Sequence, residues 1–216
     1  MPQKPRRRKQ SGIRPAYIIA AALAVILVVA IGWYVYSSSS PPAKLVYARI
    51  DTSMGSFEVE LFASSAPKTV ANFVTLAESG FYNNLVWHRI EPNFVIQTGD
   101  PATRNGGGTR SLWGTQGSNT TVPLEIDPTL HNYVGYLGMA RGSDPNSGTS
   151  QFYINLANNT SLDGNAPGPY TVFGKVISGM NVAQAIGAVP VELVGSQHEP
   201  VTPVYVTSIT ILSNGP

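Results

Sequence analysis

From Ala16 to Tyr36 the chain runs for 21 residues without a charge, almost all of them apolar, and this stretch divides the chain before any other feature is read. At about 1.5 Å per residue, a helix of that length crosses a hydrocarbon core of about 30 Å. Arg6 to Lys9 and Arg14 precede it, and Trp33, Tyr34 and Tyr36 close it. Basic residues before a span and aromatic residues at its far end are the pattern of a cytoplasmic flank and an interfacial belt. The expectation is a single-pass transmembrane helix over residues 16–36, with a basic cytoplasmic tail over 1–15. A Ser/Pro spacer over 37–43 then leads to a folded domain over 44–216, outside the cytoplasm at the cell membrane. The competing reading is a signal peptide whose cleavage releases a secreted domain. That reading needs an apolar core of only about 7 to 15 residues and a small-x-small site, and Trp33-Tyr34-Val35-Tyr36 is bulky where the site would lie. A buried core helix is a weak third reading, because the stretch offers no polar face.

The formal charge of +2 conceals an asymmetry. Six of the 14 basic residues fall within residues 1–14, where there is no acid, and the remaining eight face 12 acidic residues. The basic character sits in a short tail and no basic stripe recurs, so a nucleic-acid-binding function is excluded. Cysteine is absent, which removes disulfides, thiolate metal sites and a cysteine nucleophile.

Within 44–216 the periodicity is mostly that of strands. Leu45 to Asp51 and Ser56 to Phe62 alternate, with Phe57, Val59 and Leu61 on one face and Glu58 and Glu60 on the other, and Ser53-Met54-Gly55 supplies the turn. Pro67 stands where a first helical residue belongs; Val70, Phe73, Val74 and Ala77 follow at helical spacing, with Gly80 as a stop. From Val86 to Lys175 short apolar runs alternate with Gly, Pro and Asn clusters, the pattern of short antiparallel strands and irregular loops. Val182, Ala183, Ala185 and Ile186 predict a second short helix, and Val204 to Leu212 a closing strand. Two helices among many strands predict a mainly β fold, a closed barrel with capped ends, since closure removes exposed strand edges.

The chemistry concentrates in Trp87-His88-Arg89-Ile90-Glu91-Pro92-Asn93-Phe94-Val95-Ile96-Gln97-Thr98-Gly99-Asp100. An arginine among apolar strand residues either snorkels to water or is held for use, because an unpartnered buried charge is costly. A second segment, Leu137-Gly138-Met139-Ala140-Arg141, leads through a Gly/Ser/Asn loop to Ser150-Gln151-Phe152-Tyr153-Ile154, where a strand places Gln151 and Tyr153 on one face. Other chemistries lack their signatures. There is no Gly-x-Ser-x-Gly elbow for an acyl hydrolase, three scattered histidines give no zinc spacing, and Gly106-Gly107-Gly108 lacks the lysine of a phosphate loop.

From about Val46 to Ile211 the chain resembles the cyclophilin family of peptidyl-prolyl cis-trans isomerases, in a bacterial-like, membrane-anchored form. The resemblance rests on Ala66-Pro67-Lys68-Thr69-Val70-Ala71-Asn72-Phe73, on His88-Arg89-Ile90 to Gly99-Asp100, and on Gly106-Gly107-Gly108-Thr109-Arg110-Ser111. It continues through Met139-Ala140-Arg141, Ser150-Gln151-Phe152-Tyr153-Ile154, Leu162-Asp163-Gly164 and Val172-Phe173-Gly174-Lys175-Val176. It implies an eight-stranded closed antiparallel barrel with a helix over each end and a groove for proline peptides on its outer face. It also implies catalysis by Arg89, Phe94 and Gln97, without a metal or cofactor. Val95, Tyr153, Leu162 and Tyr170 would join Phe94 around the proline ring, although Val95, Leu162 and Tyr170 fit an ordinary core equally well. Ala140, Arg141 and Gln151 would meet the peptide backbone. Phe152 reads as core, and His88, facing away from Arg89, is given no chemical role. His131 and His198 read as loop residues without partners.

The implied activity is isomerisation of X-Pro bonds in exported proteins, assisting their folding, by a monomer whose partners are proline-containing client segments and the membrane. The alternative is a module or chaperone that binds proline segments without turning them over. Departures from the family pattern are Thr98 for a glycine, Val95 for a methionine and an insertion over Asn165 to Pro169. Ser161 stands where vertebrate relatives carry the tryptophan that grips cyclosporin, which implies weak inhibition by that drug.

Overall fold

The computed structural model describes residues 26–31, 45–164 and 168–213. Contacts divide the chain into two units, 1–43 and 44–216. In the first, residues 26–31 are helical, and Ile26, Leu27, Val28, Val29 and Ile31 are all exposed. The rest of the span expected from Ala16 to Tyr36, with its basic tail and Ser/Pro spacer, lies outside the described residues. Among those described, no helix is long and apolar enough to cross a membrane.

The second unit opens as its alternation predicts. Strands β1 (Val46–Thr52) and β2 (Gly55–Leu61) form a hairpin with Val46 opposite Leu61 and Thr52 opposite Gly55. Gly55, at φ +124°, takes the left-handed conformation that the tight reversal needs. Phe57, Val59 and Leu61 point inward and are buried. Helix α1 (Pro67–Glu78) starts on its proline, whose missing N–H costs nothing there, and buries Thr69, Val70, Phe73 and Ala77. Ala66 cannot cap it. Both oxygens of Glu125 do so instead, accepting from the backbone N–H groups of Lys68 (3.0 Å) and Thr69 (2.8 Å).

The remaining strands are short: β3 (Leu85–Val86), β4 (Arg89–Glu91), β5 (Val95–Thr98), β6 (Tyr136–Met139), β7 (Phe152–Asn155), β8 (Val172–Ser178), β9 (Val191–Val194), β10 (Gln197–Pro200) and β11 (Tyr205–Leu212). Helix α2 (Met180–Ile186) lies between β8 and β9 and buries Ala183 and Ile186.

The expected closed barrel of eight strands is corrected to an open sheet of nine, in the order β3-β11-β1-β2-β8-β6-β7-β5-β4, a half-barrel with antiparallel pairings throughout. The reason is connectivity. The two edge strands, β3 and β4, are separated in the chain only by Trp87 and His88, so they run on from one another and cannot fold back into a ladder. A side chain spans the seam: Thr98 Oγ1 on β5 donates to the Val86 carbonyl at 2.9 Å. Strands β9 and β10 pair only with each other, as a separate hairpin that the sequence periodicity did not predict.

The interior is built on aromatic rings. Phe152, read as core from the sequence, is met near-perpendicularly by Phe73, Tyr82, Trp87 and Phe173 at centroid separations of 5.4, 5.6, 5.9 and 6.3 Å. Because β5 and β7 have apolar residues on both faces, Ile96, Phe152 and Ile154 enter this core while Val95 and Tyr153 join Leu162 in a second cluster on the outer face. That outer cluster is where the site residues gather.

Candidate active site

The site begins with turn chemistry. Pro92-Asn93 reverses the chain between β4 and β5, with Asn93 in the left-handed region at φ +61°. This register sets Arg89 opposite Gln97. Gln97 pairs in turn with Tyr153 on β7, and Tyr153 with Gly138 on β6, so one cross-strand row carries arginine, glutamine, tyrosine and glycine over four strands. Directly opposed residues share a face, so these side chains converge although they come from three separate parts of the chain.

At one end of the row the Arg89 guanidinium is half-buried. Its Nε donates to Glu91 Oε1 at 3.3 Å, its Nη1 reaches Gln97 Oε1 at 3.5 Å, and its carbon lies 5.8 Å from the centre of the Phe94 ring. Gln97 Nε2 donates to Gln151 Oε1 at 2.8 Å, and Gln151 Nε2 donates to the carbonyls of Gly114 (3.0 Å) and Gln116 (2.6 Å). Asp100 fixes that loop, its Oδ2 accepting from the N–H groups of Gly114 and Gln116. A polar relay thus runs from the arginine into fixed backbone.

At the other end the floor is apolar. Val95, Tyr153 and Leu162 are buried together, with Phe94, Ala140 and Tyr170 packed around them. The Tyr153 ring lies directly over Gly138, where a Cβ would come within 2.1 Å of the ring carbon Cζ. Burial pushes the Tyr153 phenol well above its ordinary range, so it serves as a neutral donor, bonding Asn132 Oδ1 at 2.7 Å. Tyr170 meets Tyr153 edge-on at 6.0 Å, and the Arg141 guanidinium stacks 4.6 Å from the Tyr170 ring centre while donating to the Pro169 carbonyl.

Nine of the ten residues expected at the site, Arg89, Phe94, Val95, Gln97, Ala140, Arg141, Tyr153, Leu162 and Tyr170, line one groove of about 420 Å³. Gln151 lines an adjoining hollow that shares Gln97, Ala140 and Arg141 with it. His88, given no role, faces the interior and is fully buried; burial lowers its pKa to about 4 despite the charge of Asp100. Residues 165–167 of the expected insertion lie outside the described residues.

Sequence reading missed one wall. Ser196 and Gln197 from the β9–β10 hairpin also line the groove. His198, read as a loop residue without a partner, is on β10 with Nδ1 2.7 Å from Glu91 Oε2, and His131 has Nδ1 3.1 Å from Asp163 Oδ2. Burial alone would raise the Glu91 carboxyl, but hydrogen bonds from the His198 side chain and backbone, with the charge of Arg89, hold it below the usual carboxylate range. The local signal was a second charge, Glu91, two residues from Arg89 on the same short strand.

Comparison with known proteins bears on this groove. The family model of cyclophilin-type peptidyl-prolyl cis-trans isomerases matches residues 47–211. Peptidyl-prolyl cis-trans isomerase-like 1 of Aspergillus fumigatus is 46% identical over 166 residues, covering 76% of this chain and 94% of that protein. Peptidyl-prolyl cis-trans isomerase A of Dickeya dadantii is 38% identical over 197 residues, covering 90% and 97%. Among solved structures, a cyclophilin-type isomerase of Cryptosporidium parvum superposes with a TM-score of 0.66 at 31% identity, covering 79% of this chain and 99% of that one. The same protein crystallised in the presence of the dipeptide Ala-Pro gives 0.65.

Proposed function

This chain belongs to the cyclophilin family and is a peptidyl-prolyl cis-trans isomerase, and from that premise we propose that Arg89 is its catalytic residue, acting on X-Pro bonds of exported proteins. Amide resonance opposes rotation with a barrier of about 18 to 20 kcal/mol, and only X-Pro bonds populate both isomers appreciably. As the bond twists, the prolyl nitrogen becomes pyramidal and basic. An arginine donor held beside it favours that state over either planar isomer, and each 1.4 kcal/mol of such preference is worth about tenfold in rate.

The observation that carries this reading is that Arg89 and the apolar floor of Val95, Tyr153 and Leu162 line the same groove, with Nε and Nη1 of the arginine already engaged. The floor would take the proline ring, a reading supported by the Ala-Pro dipeptide used with the Cryptosporidium parvum relative. Phe94 and Gln97 hold the arginine from ring face and amide, while Ala140, Arg141, Gln151 and Tyr170 meet the flanking peptide. The test is a cis-to-trans assay of the full chain on a short X-Pro peptide. Arg89→Ala is expected to lower kcat/KM by about a hundredfold, with the fold intact; an unchanged rate would remove the arginine from the mechanism.

The client class is inferred from the topology expected of the N-terminal stretch. The uncharged stretch from Ala16 to Tyr36, the basic residues before it and the exposed apolar helix at residues 26–31 support a single-pass anchor with an extracytoplasmic isomerase domain. Uncatalysed isomerisation takes tens of seconds or more, so a tethered isomerase serves chains folding after export. Retention of the full chain in alkaline-washed membranes is the expected result; release into the wash favours cleavage and secretion instead.

A further inference from the structure

Glu91 stands between Arg89 and His198. It shares a face with Arg89 two residues away on β4, the last strand of the open sheet, and its other oxygen meets His198 on β10. Because β10 pairs as a strand with β9 and not with the nine-stranded sheet, this contact joins the hairpin to β4 through the Glu91 side chain. The hairpin is itself well anchored. Gln197 Nε2 donates to the Trp113 carbonyl at 2.7 Å, and Arg110 binds Glu199 (2.8 Å), Glu192 (2.5 Å) and the Pro200 carbonyl (3.0 Å). The backbone that carries His198 is thereby fixed beside Glu91.

The geometry of the three groups is unequal. A carboxylate and a guanidinium left to themselves favour a two-point, fork-to-fork pairing at about 2.7 to 2.9 Å. Here they share one contact of 3.3 Å, while Glu91 Oε2 is taken by His198 Nδ1 at 2.7 Å and Oε1 also receives the His198 backbone N–H at 3.4 Å. His198 thus keeps Glu91 from closing on Arg89. A fully clamped arginine would have two of its five N–H donors committed to the carboxylate, its plane fixed by that pairing and much of its charge offset.

We propose that His198 is a positioning residue for the isomerase: by occupying one oxygen of Glu91 it holds Arg89 loosely tethered, oriented and available to the prolyl amide. The inference rests on the role proposed above for Arg89. It makes the β9–β10 hairpin part of the machinery rather than a distant appendage, and it assigns Glu91 the task of orienting the arginine without neutralising it.

The test measures kcat and KM of the full chain on an X-Pro peptide. His198→Ala and the ring-preserving His198→Phe are both expected to lower kcat about tenfold with KM changed less than about twofold. His198→Asn, which keeps an N–H near the position of Nδ1, is expected to restore most of the rate. In the Arg89→Ala background, His198→Phe should cost nothing further, because its effect passes through the arginine. The proposal is overturned if His198→Phe keeps the parental kcat, or if its loss persists in full without Arg89. If Arg89→Ala alone retains the parental rate, the catalytic reading and this inference fall together; a slow Arg89→Ala beside a fast His198→Phe removes only the inference.

Discussion

The Tyr153 hydroxyl donates to Asn132 Oδ1 at 2.7 Å, which ties the floor of the proline groove to a buried asparagine from an irregular segment. Asn132 is held in turn by Asp163, whose Oδ1 accepts from its backbone N–H (3.0 Å) and its Nδ2 (2.7 Å), and Asp163 follows the groove residue Leu162. Floor and wall are therefore braced by one carboxylate. Tyr153→Phe keeps the ring and is expected to cost about 1 kcal/mol of stability with little change in activity. Asp163→Ala strands both donors of Asn132 and is expected to cost about 3 kcal/mol. Denaturant unfolding of the two variants checks the ratio, and equal losses would contradict it.

Gly138 is the counterpart of that ring. A Cβ there would lie 2.1 Å from Tyr153 Cζ and 2.2 Å from its hydroxyl, so alanine forces the ring out of the groove floor. Gly138→Ala is expected to fold with a loss of about 1 to 3 kcal/mol and to raise KM for an X-Pro peptide at least tenfold. A KM within about twofold of the parent would mean that the floor is not where the proline rests.

His88 predicts a pH dependence of stability. Burial lowers its folded-state pKa to about 4, against about 6.5 in the unfolded chain, so between these values the unfolded state binds the extra proton. Its contribution is complete above about pH 6.5 and is lost as the pH falls through 4, a change on the order of 3 kcal/mol. Unfolding midpoints measured from pH 7 to pH 4 should fall in the parent and flatten in His88→Gln, once its lower starting stability is subtracted. A parent profile that is level over this interval would sink the assignment.

Local features of the fold were legible wherever a period or a backbone constraint acts over a few residues. The alternation around Phe57, Val59 and Leu61 and the proline at the head of α1 both lead to the elements they predict. The cap of that helix was not legible, because Ala66 has no side-chain acceptor and Glu125 supplies one to Lys68 and Thr69 from 57 and 56 residues away. Closure was misjudged for a related reason. Period-2 patterning gives each strand a buried face but says nothing of which strands end as edges, and here two consecutive segments do.

For the site, the sequence by itself determined the inventory: an arginine among apolar residues, a glutamine and a tyrosine two apart on one strand face, and a family resemblance that names the groove residues. The tertiary structure alone decided their arrangement. Arg89, Gln97, Tyr153 and Gly138 meet because three pairings are in register, and His198 reaches Glu91 because a hairpin 107 residues away packs beside β4. Propensity is set by neighbours along the chain, whereas register and side-chain contact are set by the packing of the whole core, which no local stretch of residues encodes.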